Sequence, residues 1–295
     1  MKRLLVTGAS GFLGWNLCRR LKSKYRIIGT VWAHEVAEPG VTIVRVDLTR
    51  PDETRLLMAK FCPDAVIHAA AMALPDACEQ YPDAARRINV EAAVDLARLC
   101  AGSGIPFVFT STDMVFDGRH PPYSEDASVA PVNVYGRQKA EAEQRIMEVH
   151  PRATVCRLAL MFGNGGPCGR SFIQPWLESL KQGQPLKLFT DEFRTPVSAA
   201  AAVAGLALAL EQSVRGVLHL GGAERMSRFE FGALLARTFD CGTEHILAVR
   251  QADVPMAAAR PRDVSFDSRR ALALGYQPGT VAQQLSAVRN ELEMG

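Results

Sequence analysis

Several features that mark other classes of protein are missing from this 295-residue sequence. The seven cysteines include no C-x-x-C pair, and no group of cysteines and histidines has the spacing of a metal site. The net charge is only +3, and no run of five like charges occurs. These absences argue against a disulfide framework, a bound metal, a nucleic-acid partner and a membrane surface.

Long hydrophobic runs are also lacking. The longest apolar segment, 197–210, is shorter than the roughly 20 residues that a membrane-spanning helix needs, so we expect a buried helix there. Residues 1–6 lead directly into a strand pattern and have no signal-peptide core. Because most cysteines lie in apolar stretches, free thiols and a reducing, cytoplasmic location are expected.

What the sequence does contain is a regular alternation of strand and helix patterns. Apolar strand patterns occur at 3–7, 25–30, 41–46, 65–69, 106–110 and 154–158, and helix patterns occur between them at 12–22, 51–61, 82–101 and 135–149. Such alternation is typical of parallel strands joined by right-handed crossovers, which predicts a doubly wound α/β sheet of the Rossmann type. After about residue 160 the alternation loosens, apart from a strand pattern at 217–220.

A glycine-rich turn follows the first predicted strand. Gly8, Gly11 and Gly14 form a G-x-x-G-x-x-G pattern that ends at the first helix. Gly8 and Gly11 allow a tight backbone turn beside a pyrophosphate, Gly14 allows close helix packing, and the helix N-terminus offers N–H groups to phosphates. This placement predicts a dinucleotide site. The other residues of the turn assigned to it are Ser10, Phe12 and Leu13.

The dinucleotide site suggests a division of the chain. We expect residues 1–160 to form the dinucleotide-binding core, with elements at about 197–220 returning to it. Residues 161–295 are expected to form mainly a smaller C-terminal substrate lobe. No proline-rich or serine-rich linker separates the two parts, so a shared body with a cleft between them is predicted.

The end of the second strand bears on which dinucleotide binds. A carboxylate there would bind the ribose 2′-hydroxyl of NAD(H), but the first one is Glu35, after Trp32 and His34. The absence of a carboxylate at the end of the second strand removes repulsion against a 2′-phosphate, which favours NADP(H) over NAD(H). Asp47, followed by Leu48, comes just after the third strand, where it either meets the adenine or forms a turn.

A candidate catalytic set lies in the middle of the chain. Tyr135 and Lys139 are four residues apart on a predicted helix and therefore project from one face. A phenol has a pKa near ~10, and a nearby ammonium is expected to lower that pKa and prepare the group for proton transfer. Thr112 follows the fifth strand, at the carboxyl edge where such sheets bind ligands. We predict a hydride-transfer site at Thr112, Tyr135 and Lys139.

These motifs together resemble the extended short-chain dehydrogenases/reductases, and within that group the dTDP-4-dehydrorhamnose reductase family. The resemblance covers about residues 3–220. The matching stretches are 8–14, 67–71, 88–90, the STDMVFDG sequence at 111–118, the YGRQK sequence at 135–139, 157–158 and 194–197.

The resemblance implies an NAD(P)H-dependent reductase of a nucleotide-linked keto sugar. By it, Thr112 polarises the substrate carbonyl, Tyr135 donates the proton, and Lys139 holds the nicotinamide ribose and tunes Tyr135. Asn89 would support the site through backbone or water contacts. Ala69 and Ala71 would line the nicotinamide side of the cofactor site, and Ala70 is assigned to the same site.

On the substrate side, the resemblance assigns Asp113, Met114 and Arg194. Arg194 suits the phosphates of a sugar nucleotide, although a surface salt bridge is an equally simple interpretation. Met114 and the loop at 191–196 depart from the family's usual pattern, which leaves the substrate's identity open.

Two alternatives remain. One is a sugar-nucleotide epimerase of the same fold; a dehydratase is disfavoured, because Thr112 is not followed by an acidic pair. The other is a cofactor-binding regulatory protein, since the same stretches also resemble the β subunit of methionine adenosyltransferase. The sequence does not give the oligomeric state, and a homodimer is one option.

Some polar residues are predicted to have ordinary structural roles. Glu141 and Glu143 share the helix of Tyr135 but are expected to face away from it into solvent. His68 and His219 lie in apolar strand patterns, which favours core positions over metal ligation.

Overall fold

The computed structural model of the protein describes residues 1–169 and 171–293. Its strands are β1 (Arg3–Thr7), β2 (Arg26–Val31), β3 (Thr42–Arg45), β4 (Ala65–His68), β5 (Phe107–Thr112), β6 (Thr154–Leu158), β7 (Met161–Phe162), β8 (Leu186–Phe189), β9 (Phe193–Arg194), β10 (Val197–Ser198), β11 (Gly216–Leu220), β12 (Met226–Ser227) and β13 (Ile246–Val249).

The helices are α1 (Phe12–Leu21), α2 (Pro51–Phe61), α3 (Pro75–Gln80), α4 (Pro82–Arg86), α5 (Ala92–Gly102), α6 (Val134–Val149), α7 (Ile173–Lys181), α8 (Ala199–Glu211), α9 (Arg228–Thr238), α10 (Arg269–Ala273) and α11 (Val281–Glu293). A π-helical turn, Arg87–Glu91, joins α4 to α5, and short 3-10 turns lie at Asp113–Val115 and Gln251–Asp253.

Seven parallel strands form the central sheet, in the order β11-β6-β5-β4-β1-β2-β3. The order reverses between β1 and β4, so the crevice at their carboxyl ends is the switch point where doubly wound sheets bind ligands. The predicted doubly wound α/β sheet is confirmed.

Helices cover both faces of this sheet. Along β1, Leu4 and Val6 pack into one core with α1 and α8, while Leu5 faces the opposite core with α2, α5 and α6. The period of two follows from the pleat of the strand. All residues of β4, β5 and β6 are buried, as expected for parallel strands between two helical layers.

The elements after residue 160 divide between the sheet and a smaller lobe. Strand β11 extends the sheet beside β6, and α8 covers one face, as predicted for 197–210. Helices α7, α9 and α11 enclose a separate apolar core that includes Phe162, Phe231 and Leu285. The boundary near residue 160 stays a proposal, because the chain returns to the sheet after it.

The structure differs from the sequence-based expectations at a few element boundaries. Strand β5 continues to Thr112 rather than ending at residue 110, because Ser111 and Thr112 still pair with β6. The expected helix at 82–101 is interrupted by the π-helical turn, and α3 was not predicted. No helix within 1–169 and 171–293 has both the length and the apolar character needed to cross a membrane.

Candidate active site

The glycine turn between β1 and α1 is packed too closely for side chains. Gly8 has φ +72°, and a Cβ there would lie 2.8 Å from the Cα of Ala70. At Gly14 a Cβ would lie 2.0 Å from the carbonyl oxygen of Gly8. Gly11 caps α1 without a side-chain hydrogen bond, so no capping side chain satisfies the first N–H groups of the helix.

A buried hydroxyl joins this turn to the neighbouring strand end. Thr7 Oγ1 accepts hydrogen bonds from the backbone N–H groups of Ala69 (3.0 Å) and Ala70 (3.1 Å). Because both lone pairs are then used, the Thr7 hydroxyl donates to His68 Nδ1 at 2.9 Å. Burial, with the charge of Lys139, lowers the pKa of His68 to about 3, so the ring is a neutral acceptor. The predicted core positions of His68 and His219 are confirmed.

A cavity of about 540 Å³ opens at this switch point. Its lining contains eight of the residues assigned to the dinucleotide: Gly8, Ser10, Gly11, Asp47, Leu48, Ala69, Ala70 and Ala71. Phe12, Leu13 and Gly14 instead form the first turn of α1, with Leu13 and Gly14 buried. A turn of small residues beside a cavity at the switch point, with no side-chain cap on the helix that follows, fits a dinucleotide.

The cavity also has features that the sequence did not reveal. Arg87, at the start of the π-helical turn, and Met72 line it. Trp32 is 55% exposed on its rim, and the Arg45 guanidinium lies 5.5 Å from the centre of the indole ring. Asp47 Oδ1 accepts hydrogen bonds from the Thr49 N–H at 2.9 Å and its hydroxyl at 2.6 Å, so the turn expected at Asp47 is present. Its contact with adenine stays a prediction.

Thr112 and Tyr135 meet because helix α6 packs closely against the end of β5. A Cβ at Gly136 would lie 2.2 Å from the carbonyl oxygen of Met114 in the 3-10 turn after Thr112. Asn133 caps α6 by accepting from the Gly136 N–H at 2.8 Å. Tyr135 is 9% exposed and packs against α3 and α4, and Lys139 is 1% exposed and lies over Phe109 of β5.

The electrostatics of Tyr135 correct one expectation. The pKa of Tyr135 is raised, first by burial and then by the negative charge of Asp113, and only the Thr112 hydroxyl opposes this. The expected lowering of the Tyr135 pKa by Lys139 is therefore not found. The phenol packs among Cys78, Ala85, Met72, Met114 and Val134, an apolar setting that disfavours the phenolate. In this state Tyr135 holds a proton that it can donate.

Lys139 is held in an apolar environment. Its ammonium nitrogen lies 4.0 Å from the centre of the Phe109 ring. Burial lowers the pKa of Lys139 to about 7, while the charges of Glu143 and Cys78 act in the opposite direction. Its charge at neutral pH therefore depends on the acidic groups nearby.

Arg194 is buried and bound by protein groups. Its Nε is 3.4 Å from Asp113 Oδ2, its Nη2 is 3.3 Å from Glu192 Oε1, and its Nη1 donates to the carbonyls of Phe193 and Pro261. Burial raises the pKa of Asp113 to about 6, against the opposing charge of Arg194. The salt bridge foreseen at Arg194 is thus present, buried rather than on the surface. Phosphate binding by Arg194 stays a prediction.

Asn89 connects the cofactor cavity to the catalytic helix. Its Oδ1 accepts from the Met72 N–H at 2.9 Å, and its Nδ2 donates to Met72 O at 3.1 Å and to Gln138 Oε1 at 3.0 Å. The π-helical turn aims this side chain inward. Asn89 thereby holds the loop after β4 against α6.

The expectation that Glu143 faces solvent is wrong. Its side chain is 7% exposed and forms an ion pair with Arg157 of β6 at 2.7 Å. Glu141, by contrast, is 37% exposed and pairs with Arg86 and with Arg145. Helical spacing alone did not separate the two, because a partner on a distant strand decides which glutamate is buried.

Within residues 1–169 and 171–293, no three histidine, cysteine, aspartate or glutamate side chains are grouped as metal ligands. The doubly wound sheet, the glycine turn and the threonine, tyrosine and lysine at one sheet edge define the class of extended short-chain dehydrogenases/reductases. The chain belongs to the family described as RmlD substrate binding domain, whose model matches residues 1–294.

Known proteins are similar to the chain over most of its length. A protein of Haloferax volcanii, the "Probable low-salt glycan biosynthesis reductase Agl14", is 31% identical over 288 residues, which are 96% of this chain and 96% of that protein. The "Methionine adenosyltransferase 2 subunit beta" of Danio rerio is 30% identical over 282 residues, which are 93% of this chain and 85% of that protein. The crystal structure of a hypothetical dTDP-4-dehydrorhamnose reductase from Sulfolobus tokodaii is 31% identical, with a TM-score of 0.82 over 92% of this chain and 94% of that one.

Proposed function

We propose that the protein is an NAD(P)H-dependent reductase that acts on a keto group of a nucleotide-linked sugar. The observation that carries the proposal is the position of Thr112 and Tyr135 on the carboxyl edge of the sheet that also bears the glycine-lined cavity. The similarity to a reductase of Haloferax volcanii supports the reaction class. The sugar and its nucleotide follow only from family resemblance.

The residues have separate roles in this proposal. A reduced nicotinamide, when bound, supplies the hydride. The Thr112 hydroxyl holds the substrate carbonyl, and Tyr135 gives its proton to the developing alkoxide, for which its raised pKa keeps it protonated. Lys139 holds the cofactor ribose from the next turn of α6. Asp113, Met114 and Arg194 are the residues that we assign to the substrate, and Asp113 and Arg194 form an ion pair.

NADP(H) is the favoured cofactor within this proposal. Strand β2 ends without a carboxylate, and the Arg45 guanidinium beside Trp32 suits a 2′-phosphate. We expect tighter binding of NADPH than of NADH in fluorescence titrations. Binding of NADH about tenfold more tightly than NADPH would contradict this preference.

The test is NADPH and NADH oxidation with a dTDP-4-keto-6-deoxyhexose, followed by loss of nicotinamide absorbance. Tyr135→Phe should lower kcat by about 10²–10⁴ with cofactor binding retained, because phenylalanine preserves the packing but has no proton to give. Tyr276→Phe is the matched control, since Tyr276 is equally buried but packs in the core against α8, away from the site.

Each outcome has a clear meaning. Turnover lost in Tyr135→Phe alone supports the reductase, whereas an unchanged rate contradicts the role of Tyr135. Cofactor binding without turnover by the wild-type protein favours a second candidate, a regulatory subunit, to which the similarity with the Danio rerio protein points. Co-purification with the catalytic subunit of a methionine adenosyltransferase then tests that candidate.

A further inference from the structure

A buried ion pair lies directly behind the catalytic residues. Arg157 Nε donates to Glu143 Oε1 at 3.0 Å and to Oε2 at 3.1 Å, and Arg157 Nη2 donates to Oε2 at 2.7 Å. The Ser111 hydroxyl also donates to Glu143 Oε1. Both charged side chains are at most 7% exposed. Burying two charges is costly, so such a pair is weak evidence for a role in stability alone.

The surroundings of Arg157 keep its guanidinium in one orientation. Its Nη1 lies 3.4 Å from His219 Nε2, and its guanidinium carbon lies 5.1 Å from the centre of the Phe116 ring. Burial and the charge of Arg157 lower the pKa of His219 to about 3, so His219 is neutral. Nε2 faces a donor and is therefore the acceptor, which leaves Nδ1 to donate to the Tyr123 carbonyl at 3.1 Å.

Glu143 links the two elements that carry the catalytic side chains. Ser111 precedes Thr112 on β5, and Glu143 lies one helical turn after Lys139 on α6. The carboxylate thus joins β5, β6 and α6 immediately behind Thr112 and Lys139. Of the groups that act on Lys139, Glu143 is the first that favours the charged ammonium.

We propose that Glu143, clamped by Arg157 and Ser111, is a positioning residue that holds Thr112 and Lys139 in register and keeps Lys139 charged. This inference rests on the proposed reductase function, in which Lys139 binds the cofactor ribose as an ammonium. The Arg157 guanidinium donates to both oxygens of the Glu143 carboxylate, and the Ser111 hydroxyl donates to one of them. These contacts fix the orientation of the carboxylate.

Other groups face Lys139 as well. Those from neighbouring elements are Cys78 of α3, which favours the ammonium, His68 of β4, which is neutral, and the Phe109 ring of β5. None of these is a fixed negative charge at neutral pH. Glu143 is therefore the group whose removal should change Lys139 most.

The experiment measures the titration of Lys139 directly, without substrate. The protein is labelled with isotope-enriched lysine, and the Lys139 signal is assigned by its loss in Lys139→Met. In Glu143→Gln we expect the pKa of Lys139 to fall by about one unit. Above pH 8, a pKa that is one unit lower reduces the protonated fraction of Lys139 about tenfold, so NADPH affinity should fall by up to about tenfold. At pH 5.5 Lys139 is mostly protonated in both proteins, so NADPH affinity should stay unchanged.

Two further variants complete the design. Glu141→Gln removes the same charge from the exposed face of α6 and should leave the Lys139 titration as it is. The double variant Glu143→Gln, Arg157→Met removes both buried charges. Proteins often tolerate the loss of a whole buried ion pair. The double variant can therefore be measured if Glu143→Gln alone does not fold. Lys139 should remain shifted in this double variant.

The inference is overturned by an unshifted Lys139 in folded Glu143→Gln, by an equal shift in Glu141→Gln, or by a return to the wild-type titration in the double variant. A shift of Lys139 in a protein that turns over no keto sugar would leave the electrostatic coupling standing and reject only the proposed reaction. The two failures are thereby distinguishable.

Discussion

The Thr7 hydroxyl offers a direct test of how the cofactor cavity is held together. It accepts from the N–H groups of Ala69 and Ala70 and donates to His68 Nδ1, and it has no exposed surface. Thr7→Val keeps the shape of the side chain and removes all three hydrogen bonds. The loops that follow β1 and β4 would then lose the side-chain hydrogen bonds that join them.

The expected loss of stability can be estimated from these contacts. A net contribution of about 1 kcal/mol per hydrogen bond gives about 3 kcal/mol for the three together. Thr7→Ser, the matched control, keeps the hydroxyl and loses one methyl group, which costs about 1 kcal/mol. We therefore expect Thr7→Val to be less stable than Thr7→Ser by about 2 kcal/mol.

Urea unfolding followed by tryptophan fluorescence measures this difference, and NADPH titration measures the effect on the cavity. Thr7→Val should also bind NADPH more weakly, since Ala69 and Ala70 line the cavity. If Thr7→Val were as stable as Thr7→Ser, the hydroxyl would not tie the two loops, and our account of the switch point would be refuted.

Two other predictions concern the buried histidines and the glycine turn. The pKa of His68 and of His219 is lowered to about 3 in the folded protein. In the unfolded chain a histidine has a pKa of ~6.5, so each neutral, buried histidine makes its full contribution to the free energy of unfolding above that pH. As the pH falls from 7 to 5, the free energy of unfolding should decrease by about 2 kcal/mol per histidine. Equal urea midpoints at both pH values would contradict this. Gly14→Ala places a Cβ 2.0 Å from Gly8 O and should abolish NADPH binding in titrations while the far-ultraviolet circular dichroism is retained; undiminished affinity would contradict the tight packing.

Local features of the sequence were sufficient to predict the fold and to select candidate site residues. The alternation of apolar runs and helix patterns follows from the periods of strand and helix. When helices cover both faces of a sheet, its strands must be apolar and each helix must have one apolar face, so both patterns appear in the sequence. The glycine turn can also be recognised in the sequence, because the positive φ at Gly8 and the close contacts at Gly14 exclude residues with a side chain. The spacing of Tyr135 and Lys139 placed them on one face of α6.

Only the tertiary structure decided how these residues behave. Tyr135 has a raised pKa because distant elements bury it and bring the negative charge of Asp113 near. Arg194 is buried and paired with Asp113 and Glu192.

Glu143 and Glu141 show the same limit most simply. Both are glutamates of one helix, two residues apart, yet one is buried against Arg157 and the other is exposed. Whether a glutamate is buried and paired with a cation depends on contacts between segments far apart in the chain. The spacing of residues along one helix does not predict such contacts. The sequence by itself determined which side chains line the edge of the sheet, and the packing of α6 against β5 and β6 determined their charge.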